Sequence, residues 1–192
     1  MTRAVIFDVD FTLIHPGPTF QAEGYHAFGA RYGLACDPTL FEEAVRSAGR
    51  LLEGREAEVY DDEIHVKYTR HILEQMGGRG ASLDACAREM YGQWAACHHF
   101  ELYEDVPQAL RTLAGAGVRL GLVSNSNRCL ETFQAHFALD GLISATVSSA
   151  DHGMMKPHPS IFLAALHLLQ VEPGDALMVG DSVRHDVDGA LG

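Results

Sequence analysis

The sequence has few basic residues, and this scarcity argues against one large class of function. Its 192 residues include 14 lysines and arginines against 26 aspartates and glutamates, which gives a formal net charge of −12. A nucleic-acid interface needs clusters of basic side chains, so we predict no nucleic-acid partner. Net charge governs solubility and long-range steering rather than a single site, so it does not exclude an anionic small-molecule ligand.

Long apolar runs and paired cysteines are also missing. No run approaches the roughly 18 apolar residues that a membrane-spanning helix needs, so we predict no membrane partner. The first residues, MTRAVIF, enter an apolar segment at once and leave no room for a signal peptide. The four cysteines (Cys36, Cys86, Cys97 and Cys129) form no CxxC pair, which is typical of free thiols in a reducing compartment. Together these features predict a cytoplasmic protein.

What the sequence does contain is a strong first strand with acidic residues at its end. Residues 4–9, AVIFDV, form a nearly continuous apolar run, which is typical of a buried strand in a parallel sheet. Asp8 and Asp10 stand where open α/β sheets bind their ligands. Carboxylates this close repel each other unless one is protonated or a cation lies between them. The structural alternative is a solvated strand end without function.

From Val106 onward, helical and extended patterns alternate. The helical patterns cover 108–117, 129–139 and 160–170, and the extended patterns cover 118–126, 142–150 and 175–182. This alternation predicts a parallel sheet with right-handed crossovers and a ligand site at the carboxyl ends of its strands. We therefore predict an α/β fold, with a Rossmann-like core formed by about 1–14 and 105–192.

Residues 19–100 show no strand pattern. Their apolar spacing and glycine breaks predict four helices, namely Thr19 to about Tyr32, one beginning at Asp37-Pro38, about Asp61 to Met76, and one from Ser82 or Asp84 through Trp94. The segment 13–18 contains two prolines and a glycine and predicts a loop. We therefore predict a small all-helical domain over 19–100, inserted after the first strand, with hinges at about 15–18 and 101–106.

Four motifs fall, in order, at the predicted strand ends or in the loops beside them: Asp8-x-Asp10, Ser124-Asn125, Lys156-Pro157, and Gly180-Asp181 with Asp186 downstream. With these motifs the sequence resembles the haloacid dehalogenase superfamily of phosphotransferases. The resemblance implies that the helical insertion is a cap, which closes over the substrate and selects it. With an acid at position 10, the sequence is similar to the phosphatases and phosphomutases of that family rather than to its dehalogenases, which lack an acid there. Phe11 departs from the family pattern, which commonly has glycine there.

The resemblance also implies catalytic roles. Asp8 would be the nucleophile that attacks phosphorus and forms an aspartyl-phosphate. Asp10 would be the general acid and base, protonating the leaving oxygen and then deprotonating water. Lys156 would offer a positive charge to the phosphoryl group, against the alternative of an ordinary surface lysine. Thr12 would support the turn through its hydroxyl, and Asp186 would lie near Lys156 or a metal-bound water.

Phosphate and metal ligands complete the predicted site. The Ser124 hydroxyl and the backbone N–H of Asn125 would hold a phosphoryl oxygen, and a helix N-cap role for Ser124 is compatible with this. The resemblance implies Mg²⁺ as cofactor, held by the Asp8 carboxylate, the Asp10 backbone carbonyl and Asp181. The sequence therefore predicts a Mg²⁺-dependent phosphohydrolase acting on a small phosphorylated metabolite. The alternatives are a phosphomutase acting on a sugar phosphate and a non-catalytic binding protein that keeps the fold.

The final segment, 186–192, reads as the opening of a helix. The resemblance implies that a further strand of the same sheet follows, and the sequence supplies none. Two interpretations stay open, a shortened form of the protein or a last strand whose edge a partner covers. The oligomeric state is likewise open.

Overall fold

A computed structural model describes residues 2–53 and 59–192. These residues form two compact units. The α/β unit contains residues 2–15, 59–60 and 100–192, and the helical unit contains residues 16–53 and 61–99. No helix among the described residues is long and apolar enough to cross a membrane.

The strands belong to two sheets. In chain order they are β1 Ala4–Phe7, β2 Ile14–Pro16, β3 Phe100–Leu102, β4 Arg119–Ser124, β5 Ile143–Ser148 and β6 Ala176–Val179. The larger sheet is parallel and has the strand order β5-β4-β1-β6, in which Phe7 is in register with both Leu122 and Val179. The predicted parallel α/β core is thereby confirmed.

The described residues form nine α-helices, which from residue 106 onward alternate with the strands of the larger sheet, as the sequence predicts. In chain order they are α1 Ala22–Arg31, α2 Phe41–Glu53, α3 Asp62–Gln75, α4 Leu83–Trp94, α5 Val106–Gly115, α6 Leu130–His136, α7 Ser149–His152, α8 Pro159–Leu169 and α9 Gly189–Leu191. A wider π-helical turn, Val183–Asp188, precedes α9, so the last segment is helical but less regular than predicted. The apolar face of α8, including Ile161, Phe162 and Leu166, packs in one buried cluster with Val123 and Val147 of the sheet.

The first strand is shorter than the predicted span of 4–9. It ends at Phe7, and the Asp8 amide still donates to the carbonyl of Val179 at 2.9 Å. After that the chain turns, because the Val9 carbonyl accepts bonds from the amides of the three residues 12–14. This tight turn removes Val9 and Asp10 from the sheet.

Residues 13–18 do not form a simple loop. Within them β2 forms a two-stranded sheet with β3, and the amide of Tyr103 donates to the Leu13 carbonyl at 3.1 Å. Gly17 donates to the carbonyl of His99 at 2.8 Å, and a Cβ at Gly17 would lie 2.8 Å from that same oxygen. Pro16 and Gly17 therefore fit a close strand-like approach, which local turn signals alone do not reveal.

The helical unit contains four α-helices near the predicted positions. Asp37 and Asp61 lie at the predicted helix starts and cap helical turns, accepting from the amides of residues 39 and 63 at 2.9 and 3.0 Å. The predicted start at Thr19 is wrong, because Pro18–Phe20 forms a separate 3₁₀ turn. The extended backbone of Gln21 (φ −106°, ψ 177°) then separates this turn from α1.

We expect Leu122→Ala to lower the free energy of unfolding by about 2–5 kcal/mol, because it leaves a cavity in a close-packed interior. Leu122 lies in a central strand and is fully buried. Leu163→Ala on α8 is the matched control, since Leu163 is 57% exposed and its truncation should change stability by only about 0.5 kcal/mol. Urea unfolding of both variants measures the difference, and equal losses would contradict this packing.

Candidate active site

The polar ends of three neighbouring strands meet at one edge of the parallel sheet. Because β1 is in register with β4 and β6, the residues that follow these strands lie side by side. Asp8 follows β1, Ser124 ends β4, and Gly180-Asp181 follows β6. This is the edge at which parallel α/β sheets bind ligands.

A buried lysine joins two carboxylates at this edge. The ammonium Nζ of Lys156 donates to Oδ1 of Asp8 and to Oδ1 of Asp186, each at 2.6 Å. Lys156, Asp8 and Asp186 are all nearly inaccessible, with 2%, 6% and 1% of their surfaces exposed. Lysine is seldom buried without a charged partner. Here it has two partners, which leaves the trio with a surplus of negative charge.

Burial and this surplus of negative charge change the pKa values of Asp8 and Lys156. Burial raises the pKa of Asp8 from 3.8 to about 6, and the charge of Asp186 adds to the rise while that of Lys156 opposes it. Burial alone would lower the pKa of Lys156, but the charges of Asp8 and Asp186 outweigh burial and raise it. The lysine is therefore firmly cationic, whereas the carboxylate is held less firmly in its ionised form.

Three carboxylates are placed to hold a hard cation. Oxygen atoms of Asp8, Asp181 and Asp186 lie within 4.8 Å of one another, and Asp181 is exposed to solvent. Carboxylate oxygens are the ligands that Mg²⁺ and Ca²⁺ prefer, so these residues fit a divalent cation. The cluster brings together the predicted ligands Asp8 and Asp181 and adds Asp186. The Asp10 backbone carbonyl as a ligand stays a prediction.

The other oxygen of Asp8 is fixed by the turn that follows it. The Thr12 hydroxyl donates to Oδ2 of Asp8 at 3.1 Å, so this residue contacts the carboxylate directly. Phe11, between Asp10 and Thr12, has a φ of +65° and is 47% exposed. This left-handed conformation costs a residue with a Cβ about 1 kcal/mol relative to glycine. The departure from glycine at Phe11 therefore falls at a backbone position that favours glycine.

The Ser124-Asn125 motif lies at the end of β4, with most of its side-chain atoms engaged. The Ser124 hydroxyl is buried and lies 2.8 Å from the hydroxyl of Ser126. The Asn125 side chain accepts from the Lys156 amide at 2.7 Å and donates to the Lys156 carbonyl at 2.9 Å. Asn125 therefore holds the backbone of the lysine loop in place. The predicted role of its own N–H toward a phosphoryl oxygen stays a prediction.

Asp186 reaches the site only because position 180 has no side chain. Its Oδ2 accepts from the Ser182 amide at 3.0 Å, while its Oδ1 contacts Lys156. A Cβ at Gly180 would lie 2.2 Å from the Asp186 Cγ. The glycine of the fourth motif therefore leaves the space that this carboxylate occupies.

Arg128 is the one prominent side chain of the described site that the sequence did not reveal. Its Nη2 donates to Oδ1 of Asp10 at 2.8 Å, and its guanidinium lies 4.4 Å from the ring centre of Phe100. A signal was present, because a cation just before the N-terminus of α6 opposes the helix dipole. Such a placement suggests a partner elsewhere in the fold, although the sequence does not say which.

Comparison with known proteins agrees with this geometry. The family model described as haloacid dehalogenase-like hydrolase matches residues 2–192. The chain belongs to the haloacid dehalogenase-like hydrolase family. The resemblance inferred from the four motifs is confirmed.

Named relatives place this hydrolase among phosphatase-type enzymes. It is 30% identical to human N-acylneuraminate-9-phosphatase over 217 residues, covering 98% of this chain and 78% of that protein. It is 34% identical over 194 residues to haloacid dehalogenase-like hydrolase domain-containing protein 3 of Bos taurus, covering 98% and 77%. The crystal structure of a HAD phosphatase from Thermococcus onnurineus matches with a TM-score of 0.65 and 26% identity, covering 100% of this chain and 82% of that one.

We expect Asp8→Asn to raise the free energy of unfolding of the metal-free hydrolase at pH 8, by on the order of 2 kcal/mol. Because the pKa of Asp8 in the folded protein is raised to about 6, the folded protein keeps a proton that the unfolded chain releases from about pH 4 upward. Wild-type stability should therefore fall as the pH rises through about 6, and the variant lacks this loss. Urea unfolding in chelator at pH 4.5 and pH 8 measures it, with Asp188→Asn at an exposed position as control. An Asp8→Asn variant that is less stable than the wild type at pH 8 would contradict the raised pKa of Asp8.

Gly180→Ala should disrupt the site far more than Gly174→Ala. The added methyl group would overlap the Asp186 carboxylate, whereas no atom lies within 4 Å of a Cβ built at Gly174. Overpacking of this kind typically costs about 1–3 kcal/mol. Thermal unfolding and binding of Mg²⁺ by calorimetry compare the two variants. Equal melting temperatures and equal Mg²⁺ affinities of the two variants would show that stability and metal binding do not depend on the observed position of Asp186.

Proposed function

We propose that this hydrolase removes phosphate from a small phosphorylated metabolite through an aspartyl-phosphate formed on Asp8. The supporting observation is the setting of that carboxylate, with one oxygen against Lys156 and the other against the Thr12 hydroxyl. A carboxylate held at both oxygens loses little rotational freedom when it reacts. It also lies at the edge of the sheet where three strand ends meet and where parallel α/β sheets bind ligands.

The first step joins Asp8 to phosphorus. A carboxylate oxygen of Asp8 forms the new bond, the bond from phosphorus to the leaving oxygen breaks, and Asp10 gives that oxygen its proton. Lys156, the Ser124 hydroxyl and the Asn125 backbone N–H face the charge that develops on the phosphoryl oxygens. Asp10, whose side chain is 18% exposed, retains access to solvent for this transfer.

The second step returns Asp8 to its starting state. Asp10, now ionised, takes a proton from water, the water oxygen attacks phosphorus, and the bond from phosphorus to the Asp8 oxygen breaks, which releases inorganic phosphate. Asp8, Asp181 and Asp186 would hold Mg²⁺, together with the Asp10 carbonyl, and Asp186 would also keep Lys156 oriented. When bound, the ion supplies positive charge that stabilises the transferring phosphoryl group and orients it.

The named relatives support the proposed substrate class. The human relative is named for a phosphorylated sugar acid, so sugar phosphates are the first metabolites to screen. The helical unit supplies no motif of its own, and the resemblance assigns substrate choice to it as a cap. A cytoplasmic location accords with substrates of this class.

Phosphate release from p-nitrophenyl phosphate and a panel of sugar phosphates, with Mg²⁺ or with chelator, tests the proposal. We expect Mg²⁺-dependent release by the wild type and a loss of at least about a thousandfold in Asp8→Asn, because the variant lacks the nucleophile. Asp8→Asn should retain the wild-type circular dichroism spectrum.

Three outcomes would contradict the proposal in different ways. Activity of Asp8→Asn above about a thousandth of the wild type would remove Asp8 as nucleophile. Isomerised sugar phosphate without release of phosphate would indicate the mutase alternative. No metal-dependent reaction across the panel, from folded protein, would favour a binding protein that keeps the fold.

A further inference from the structure

We propose that Arg128 is a positioning residue, which holds the Asp10 carboxylate in the orientation that proton transfer requires and does not itself contact the substrate. The proposal rests on the proposed function, because it assigns Asp10 the role of acid and base. The described catalytic motifs do not include Arg128, yet its side chain is one of the largest that are fully buried.

The exposure of the two partners separates their roles. The side chain of Arg128 is 0% exposed, whereas that of Asp10 is 18% exposed, and Nη2 of the arginine lies 2.8 Å from Oδ1 of the aspartate. The buried guanidinium lies between the Asp10 carboxylate and the face of Phe100, so it is placed to hold Asp10 rather than to meet a substrate. The more exposed Asp10 can meet a substrate, and Arg128 contacts its carboxylate from the buried side.

Arg128 is itself held at both ends. Its guanidinium lies over the face of Phe100 at 4.4 Å, and a planar cation on an aromatic ring has a defined orientation. At the other end its backbone N–H donates to the Ser126 hydroxyl at 3.4 Å, and that hydroxyl lies 2.8 Å from Ser124. The arginine thus connects the phosphate-binding loop after β4 with the acid–base residue after β1.

Asp10 needs such support because the sheet no longer holds it. β1 ends at Phe7, and Asp10 lies in the turn that follows, next to the left-handed Phe11. A misplacement of about 1 Å can cost on the order of a hundredfold in rate, so a side chain in a turn gains from a rigid neighbour. Lys156, by contrast, already serves the nucleophile and contacts Asp8 and Asp186.

The test compares leaving groups in Arg128→Met and Arg128→Lys. The value of kcat/KM reports the steps up to departure of the leaving group. p-Nitrophenolate departs without a proton, whereas a sugar alkoxide needs one from Asp10. We expect Arg128→Met to lower kcat/KM about a hundredfold for the sugar phosphate that the wild type hydrolyses fastest and less than about tenfold for p-nitrophenyl phosphate. Arg128→Lys should recover part of the loss.

Controls separate positioning from simple loss of structure. Arg119→Met removes another arginine of the α/β unit, whose guanidinium donates to the carbonyls of Leu169 and Gln170 at 2.6 and 3.0 Å. It should lower the melting temperature and leave the ratio between the two substrates at the wild-type value. Asp10→Asn should show the same selective loss as Arg128→Met, and the double variant should be no slower than Asp10→Asn alone.

Each contrary outcome has a distinct meaning. Equal losses on both substrates in the two Arg128 variants would show a purely structural role and overturn the proposal. A rise in KM with unchanged kcat for Arg128→Lys would show substrate contact, which also overturns it. A wild type that releases phosphate from neither p-nitrophenyl phosphate nor any sugar phosphate of the panel would overturn the proposed function instead. If Arg128→Met does not fold, Arg128→Lys carries the same comparison.

Discussion

The site depends on one buried positive charge. Lys156, Asp8 and Asp186 come from segments that are far apart in the chain, and each ion in the trio is almost inaccessible to water. A buried ion left without its partner is costly, so none of the three loops is stable in its observed place alone. Two further residues help to keep the trio together. Asn125 fixes the backbone of Lys156, and Gly180 leaves room for Asp186.

The same trio explains why a cation fits this edge of the sheet. Asp8 and Asp186 outnumber Lys156, and Asp181 adds a third carboxylate within 4.8 Å of the other two. Burial, with a smaller contribution from the charge of Asp186, raises the pKa of Asp8, so the ionised trio is strained without a further positive charge. Such strain is a common cost of functional sites, because groups arranged for chemistry are seldom those that stabilise the fold most.

The sequence predicts the parts of this fold that local pattern determines. Apolar runs, glycine breaks and polar strand ends lead to the parallel sheet and to Asp8, Ser124 and Asp181 at its edge, and the family resemblance adds Lys156. It does not predict where β1 stops, since that depends on the turn around the Val9 carbonyl. Nor does it predict that the Asn125 side chain binds the Lys156 backbone or that Arg128 meets Asp10, because these contacts join residues 31 and 118 positions apart.

Asp8 and Asp10 lie two residues apart, yet each has a different cation. Lys156 gives Asp8 a compact charge that it shares with Asp186, and a flexible ammonium tolerates small changes in geometry as bonds form. Arg128 gives Asp10 a planar partner fixed against Phe100, which constrains direction more than it supplies charge. A nucleophile needs its charge balanced, whereas a proton donor needs its oxygen aimed. The choice of lysine for one carboxylate and arginine for the other therefore follows the division of labour that we propose for the two aspartates.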